Sequence, residues 1–193
     1  DRRFLVRVDR IELSKNLLRG FTAFDLLLRR RPELAEQVVF GAFCYPSRQG
    51  VEEYRRYHEE CVTAVERLVA RWGPVVIWED DDDYPRSLAA LRLADVVLVN
   101  PVRDGLNLVA KEATLVNENW PSIVLSERAG VAAELGHHCD LVNPCDVSAT
   151  ADAIEAGLTR SRPERERQGR ARLAVARRRQ PSQWLEDQLA AVS

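Results

Sequence analysis

The sequence predicts an α/β fold, in which helices cover both faces of a doubly wound, mostly parallel sheet. Short apolar segments alternate with longer amphipathic segments along the 193 residues, the order typical of parallel strands joined by helical crossovers. Several apolar segments are continuous, as expected of strands buried on both faces. The net charge of −2 gives no basic bias that would indicate nucleic acid binding. The chain has the size of one large domain with a full core.

The first half of the chain predicts three strands and two helices. Apolar residues such as Leu17, Phe21 and Phe24 recur at three- and four-residue spacing, which predicts a helix over 17–30 with one apolar face. The continuous apolar run 38–43 predicts a strand buried on both faces. The other predicted elements are a strand at 4–8, a helix at 51–72 and a strand at 75–78.

The second half continues the same alternation. We expect strands at 95–99, 123–125 and 140–142, and helices at 85–93, 107–117, 129–135 and 148–159. Ser148 is the expected N-cap of its helix, and Pro163 and Pro181 open two further helices. In such sheets ligands bind beyond the carboxyl ends of the strands, where the strand order reverses.

Lysine is rare in this chain, and its two positions draw attention to two turns. The chain has 26 arginines but only Lys15 and Lys111, and each lysine follows an apolar strand. Arg10 and Lys15 lie five residues apart across the first turn, so they could clamp a diphosphate from two sides. Both turns therefore indicate an anionic ligand at one edge of the sheet.

The second turn adds backbone and carboxylate chemistry. Gly105 permits close approach of a ligand to the backbone, and amides at the start of the helix expected from Asn107 would favour a phosphate. Glu112, farther along this helix, could accept both hydroxyls of a ribose. The residues alone leave open a second interpretation, in which Asp9–Arg10 and Lys111–Glu112 are surface ion pairs.

Several motifs together resemble the C-terminal half of the trehalose-6-phosphate synthases, glycosyltransferase family 20. The run 103–112, Arg-Asp-Gly-Leu-Asn-Leu-Val-Ala-Lys-Glu, is the most specific, and the resemblance covers essentially the whole chain. The other segments occur in the family's order: Val-Asp-Arg at 8–10, Ser-Lys-Asn at 14–16, Tyr-Pro-Ser-Arg at 45–48, Ser-Glu-Arg-Ala-Gly at 126–130 and Asn-Pro-Cys-Asp at 143–146.

The resemblance implies the Rossmann-like C-terminal domain of a two-domain GT-B glycosyltransferase that transfers a sugar with retention. It implies that the catalytic residues are Arg10, Lys15 and Asp104, with the first two on the donor diphosphate and Asp104 on donor-sugar hydroxyls. Glu112 would bind the ribose, and Arg48 would reach the acceptor phosphate. The backbone of the loop and helix start would complete the donor site, through Gly105, Leu106, Asn107, Leu108 and Val109.

The same resemblance implies the organisation and partners of the protein. Residues 1–178 would form the nucleotide-sugar domain, and 179–193 a C-terminal helix packing toward an N-terminal acceptor domain of the same protein. The partners would be a UDP- or GDP-linked donor and a phosphorylated sugar or aminocyclitol, without metal or other cofactor, in the cytoplasm. Homo-oligomerisation is left open, and neither nucleic acid nor a membrane is expected as a partner.

Some positions depart from the family's usual pattern. Arg7 replaces a small residue, Glu12-Leu13 replaces an Asp-Tyr pair, Asn16 replaces Gly, and Leu106 replaces Met. Asn100-Pro101 before the Arg-Asp-Gly run, together with Ser-Lys-Asn at 14–16, resembles an actinobacterial side branch that includes validoxylamine-type pseudo-glycosyltransferases. One alternative is therefore C–N coupling of a nucleotide-linked cyclitol to an aminocyclitol phosphate. Another is a donor-binding domain without activity of its own.

Four further features are interpreted as structural. The four cysteines lack C-x-x-C spacing, so we expect free thiols rather than a metal cluster of His137, His138, Cys139 and Cys145. The acidic run 79–83 is expected to be a solvated loop near the nucleotide base. The arginine-rich segment 160–179 lacks interleaved aromatic residues, which favours a solvated helix face over a nucleic acid surface. On the last helix, Trp184 and Leu189 are expected to be packing residues.

Overall fold

The computed structural model describes residues 2–178 and 181–191, with side chains described for 2–178 and 185–191. The strands are β1 (Arg3–Ile11), β2 (Val38–Pro46), β3 (Val76–Glu79), β4 (Val96–Val99), β5 (Ser122–Ser126) and β6 (Asp140–Val142). The helices are α1 (Leu17–Arg30), α2 (Leu34–Gln37), α3 (Glu52–Trp72), α4 (Tyr84–Leu93), α5 (Val109–Val116), α6 (Ala132–Leu135), α7 (Val147–Thr159), α8 (Arg162–Arg178) and α9 (Pro181–Ala191).

The strands form one parallel sheet in the order β3-β2-β1-β4-β5-β6. All six predicted strands are confirmed, although β1 and β2 are longer than predicted. The chain winds outward from β1 to β3 and then returns to place β4 against the other edge of β1. The strand order therefore reverses between β1 and β4, where parallel sheets form a crevice at the carboxyl edge.

Two hydrophobic clusters cover the two faces of the sheet. On one face Leu5 packs in a cluster that includes Phe21 and Phe24 of α1 and residues of α3 and α7. On the other face Val6 packs in a cluster with residues of α4 and α5. Because successive strand residues point to opposite faces, neighbouring apolar residues of β1 supply both clusters. This is the reason for the continuous apolar runs of the sequence.

Three predicted helix starts are wrong. The helix after β4 begins at Val109 rather than at residue 107, because Asn107 has a φ of 65°, in the left-handed region. The N-cap of α7 is Asp146 rather than Ser148, and its carboxylate accepts a hydrogen bond of 2.8 Å from the amide of Ala149. The short helix α6 also begins later than predicted, at Ala132.

The arginine-rich segment is built into the domain more extensively than predicted. Arg172 is only 1% exposed and donates to the carbonyls of His138 (2.8 Å) and Pro121. Arg160 donates to both carboxylate oxygens of Asp140, each at 2.7 Å. These arginines hold the end of the sheet, so the prediction of a wholly solvated face is wrong.

The other structural predictions have mixed outcomes. All four cysteines are free thiols, with Cys44 and Cys61 buried. Within the described ranges, no cluster of three or more His, Cys, Asp or Glu side chains is arranged to hold a metal ion. In the same ranges no helix is long and apolar enough to cross a membrane. The side chain of Trp184 lies outside the described ones, Leu189 is largely exposed, and the packing of α9 toward another domain stays a prediction.

Candidate functional site

A cleft of about 390 Å³ opens at the carboxyl edge of the sheet, between the ends of β1 and β4. It lies at the point where the strand order reverses. The cleft contains eight of the ten residues predicted to bind substrate, which are Arg10, Lys15, Asp104, Leu106, Asn107, Leu108, Val109 and Glu112. Its remaining lining residues are Val8, Asp9, Tyr45, Asp82, Tyr84, Ser87, Leu88 and Leu91.

The first wall of the cleft is the turn that follows β1. A 3-10 turn, Leu13–Lys15, ends at Asn16, which has a left-handed φ of 64°. The Asn16 side chain is buried and donates to the carbonyls of Asn100 (2.9 Å) and Pro144 (2.8 Å). These two bonds fasten the turn to the segments that follow β4 and β6. The turn thereby carries Lys15 into the cleft.

Lys15 is held between two carboxylates. Its ammonium lies 2.5 Å from Oδ2 of Asp104 and 3.8 Å from Oδ1 of Asp9, and its side chain is only 12% exposed. Burial acts to raise the pKa of Asp104, but the hydrogen bond and charge of Lys15, together with hydrogen bonds from Asn107 and Leu106, outweigh burial, so the net shift is downward. Asp104 is therefore an ionised acceptor, and its position depends on Lys15.

Arg10 lies on the more open side of the same wall. Its side chain is 46% exposed, and Nη1 contacts Oε1 of Glu12 at 2.7 Å. The same Glu12 oxygen accepts a hydrogen bond of 3.0 Å from the hydroxyl of Ser47. The guanidinium is thus oriented by one carboxylate, while much of its surface remains accessible to an anion.

The second wall is the loop between β4 and α5. Oδ2 of Asp104 accepts a hydrogen bond of 3.2 Å from the Asn107 amide nitrogen. The oxygen of the same side-chain amide, Oδ1 of Asn107, is buried and has no hydrogen-bond partner among the described residues. The first turn of α5 begins two residues later, so its free amides and the positive end of its dipole face this region.

The loop is supported from below by the segment after β5. The amide of Gly130 donates to the carbonyl of Asp104 at 3.0 Å, and that of Val131 to the carbonyl of Leu106 at 2.8 Å. A Cβ atom on Gly130 would lie 1.9 Å from the carbonyl oxygen of Gly105. Gly130 therefore permits a close approach of two backbones that fixes the position of the loop. Gly105 itself faces a neighbouring, more open concavity rather than the cleft.

Glu112 and Lys111 point in different directions from α5. Glu112 lines the cleft, and burial raises the pKa of its carboxyl group. Within residues 2–178 and 185–191 its carboxylate has neither a hydrogen bond nor an ion pair. Lys111 instead contacts Glu134 of α6 at 2.8 Å. Lys111 therefore points away from the cleft, whereas Glu112 is placed where a ligand hydroxyl could reach it.

Arg48 is not brought into the cleft. It lies between β2 and α3 with a left-handed φ of 50°, and its guanidinium stacks 5.5 Å from the ring centre of Tyr54. It also donates to the Tyr54 hydroxyl at 3.1 Å. Its expected contact with an acceptor phosphate stays a prediction.

Sequence reasoning missed part of the cleft. Asp9, which lies against Lys15, was treated only as part of a motif, and Tyr45 and Tyr84 were given no role, although all three line the cleft. A signal for Tyr45 was available, because it lies just after the predicted strand 38–43 and therefore at the carboxyl edge of the sheet. No such signal exists for Tyr84, because the packing of α4 determines that this residue lies near the cleft.

The comparison with protein families decides the classification. The family model of Glycosyltransferase family 20 matches residues 1–193. The chain belongs to glycosyltransferase family 20. This membership and the observed sheet confirm the predicted Rossmann-like fold of a GT-B glycosyltransferase. The side branch within the family stays a prediction.

Relatives of this family-20 chain are trehalose-phosphate synthases. It is 35% identical over 187 residues to a bifunctional trehalose-6-phosphate synthase/phosphatase of Thermoproteus tenax, covering 92% of this chain and 25% of that protein. A UDP-forming α,α-trehalose-phosphate synthase from Burkholderia vietnamiensis superposes with a TM-score of 0.94 at 32% identity, covering 98% of this chain and 45% of that one. A trehalose-6-phosphate protein from E. coli, bound with UDP-2-fluoro glucose, gives 0.94 at 28% identity, with 98% and 44% covered. The family-20 chain thus spans less than half the length of these proteins.

Proposed function

We propose that this chain is the donor-binding part of a retaining glycosyltransferase that transfers glucose from UDP-glucose to a phosphorylated sugar. The observation that carries the proposal is the convergence of Lys15, Asp104, Glu112 and the start of α5 in one cleft at the switch point of the sheet. The similar proteins add the base and the reaction class, because they are UDP-forming trehalose-phosphate synthases. They give no support for GDP or for C–N coupling.

The groups that line the cleft match the parts of a nucleotide sugar in their order along the ligand. The free amides of α5 and the cations of Arg10 and Lys15 suit the diphosphate. Glu112 suits the ribose hydroxyls at one end, and Asp104 suits sugar hydroxyls at the other. An entering diphosphate would replace Asp104 as the partner of Lys15, leaving the carboxylate to accept from the sugar.

The chemistry follows from this placement. The bond between the anomeric carbon and the diphosphate breaks, and a bond from the same carbon to the acceptor oxygen forms on the same face. The acceptor proton passes to an oxygen of the departing diphosphate. Arg10, Lys15 and the α5 amides stabilise the charge that develops on the leaving group. The acceptor site would be completed by the rest of the protein.

Calorimetry of this domain with UDP, in the presence of EDTA, tests the proposal. We expect binding without added metal, and Lys15→Ala should weaken it by about 1.5–3 kcal/mol, the scale of a charged hydrogen bond. Lys111→Ala is the matched control, because Lys111 is also paired with a carboxylate but lies outside the cleft. The proposal is wrong if the native domain does not bind UDP, if EDTA abolishes binding, or if both variants bind UDP as the native domain does.

A further inference from the structure

A buried arginine lies directly beneath the proposed diphosphate site. Arg7, in the middle of β1, is completely buried. Its Nε donates to Oδ2 of Asp9 at 3.1 Å, its Nη1 donates to Oδ1 of Asn100 at 2.7 Å, and its Nη2 donates to the carbonyl of Lys15. Every guanidinium nitrogen therefore has a partner. Such full satisfaction is the condition under which a buried charge is tolerated.

The fold leaves room for this guanidinium at one position of α1. A Cβ atom on Gly20 would lie 2.6 Å from Nη1 of Arg7. A glycine inside a helix destabilises that helix relative to alanine. The packing of α1 against β1 therefore accommodates the guanidinium of Arg7. This charged side chain is an integral part of the core.

The charges around Arg7 connect it to Lys15. Asp9 is 5% exposed and contacts two cations, with Arg7 at 3.0 Å and Lys15 at 3.8 Å. If Arg7 were absent, Lys15 would be the one described cation within ion-pair distance of Asp9. Its ammonium would be drawn toward Asp9 and away from the cleft. The Asp104 carboxylate would then be left without its partner Lys15, and an incoming diphosphate would meet that uncompensated negative charge.

We propose that Arg7 is a positioning residue for the donor diphosphate. It neutralises Asp9 from beneath and holds the main chain of Lys15, so that the Lys15 ammonium is available to the phosphate farthest from the ribose. The inference rests on the proposed function. It assigns a role to one of the positions at which this chain departs from the usual family pattern.

The test compares UDP with UMP, which lacks the second phosphate. In Arg7→Met, which keeps an unbranched side chain but removes the guanidinium, we expect the Kd for UDP to rise by about tenfold and that for UMP by less than about twofold. General damage to the cleft would weaken both ligands equally. Arg7→Gln keeps an N–H donor for Asp9 without the charge, and it should give the same UDP-selective loss if Arg7→Met does not fold.

Two further variants separate positioning from folding. Arg172→Met removes another buried arginine outside the cleft, so it should lower Tm and leave the UDP-to-UMP ratio of Kd values unchanged. Arg7→Met/Asp9→Asn removes both buried charges, so it should recover most of the UDP affinity. Equal losses for UDP and UMP, or no recovery in the double variant, would overturn the role of Arg7. Failure of the native domain to bind UDP would instead overturn the proposed function.

Discussion

The ammonium of Lys15 and Oδ2 of Asp104 are 2.5 Å apart, although 89 residues separate them in the chain. The pair joins the turn after β1 to the loop after β4, across the place where the strand order reverses. Each of the two residues therefore has its main ionic partner on the other segment. This arrangement keeps a cation and an ionised carboxylate ready at the mouth of the cleft, where a ligand with both phosphates and hydroxyls can separate them.

Asp104→Ala should separate sugar recognition from diphosphate recognition. Lys15 would lose its main partner and become more available to phosphate, so we expect UDP to bind as tightly as before or more tightly. UDP-glucose would lose its hydrogen-bond acceptor and bind about 1–2 kcal/mol more weakly relative to UDP. Calorimetry with both ligands measures the difference. An equal change for the two ligands would show that Asp104 does not contact the sugar.

Glu112→Gln should affect stability and ligand binding in opposite directions. Because burial raises the pKa of Glu112 above 4.5, ionisation destabilises the fold as pH rises through the window between 4.5 and that raised value. The variant should therefore have a slightly higher Tm at pH 7, and the gain should disappear below pH 4.5.

The same variant should bind UDP about 1.5 kcal/mol more weakly at pH 7, since a carboxylate is the stronger acceptor for ribose hydroxyls. It should also discriminate less between UDP and its 2′,3′-dideoxy analogue. Equal affinity of the native domain for these two ligands would contradict the assignment of Glu112 to the ribose.

Gly130→Ala should displace the loop that carries Asp104. The added methyl group would collide with the backbone carbonyl of Gly105 at 1.9 Å, where no side-chain rotation can relieve it. We expect a loss of about 1–3 kcal/mol in the free energy of unfolding, with weaker UDP-glucose binding. Gly50→Ala is the control, because no atom lies within 4 Å of its added Cβ. Urea denaturation of both variants measures the difference, and equal stabilities would contradict the close approach.

Asn107 should tolerate glycine better than valine. Its φ of 65° lies in the left-handed region, where a β-branched side chain is strained by about 1–3 kcal/mol. Asn107→Val should therefore unfold at lower urea concentration than Asn107→Gly. Both variants lose the hydrogen bond to Asp104, so the comparison isolates the backbone. A Val variant as stable as the Gly variant would contradict the left-handed conformation.

Arg48→Ala should leave donor binding unchanged and affect the acceptor alone. Arg48 does not line the cleft, and its guanidinium is held by Tyr54. In the full-length protein we expect sugar transfer with a raised KM for the phosphorylated acceptor, and an unchanged Kd for UDP. These 193 residues by themselves should bind the donor without transferring it. Robust transfer by this chain alone would contradict the division of the two substrates between two parts of the protein.

The sequence by itself determined the order of strands and helices and half of the residues that line the cleft. Apolar periodicity identified all six strands, because the burial of each strand is encoded in the few residues that form it. The motif at 103–112 placed Asp104 and Glu112 correctly at the carboxyl edge, since a turn directly after a parallel strand must lie there. Local sequence patterns are sufficient to predict strands and the turns that follow them, because both are encoded in neighbouring residues.

The tertiary structure decided which side chains of those turns meet. Lys111 and Glu112 are neighbours in sequence, but adjacent positions on a helix differ by about 100°, so packing of α5 sends one toward α6 and the other into the cleft. The burial of Arg7 depends on the missing side chain at Gly20 and on Asn100, which lie 13 and 93 positions away in the chain. Contacts across such separations arise from packing of whole elements, for which no local pattern exists.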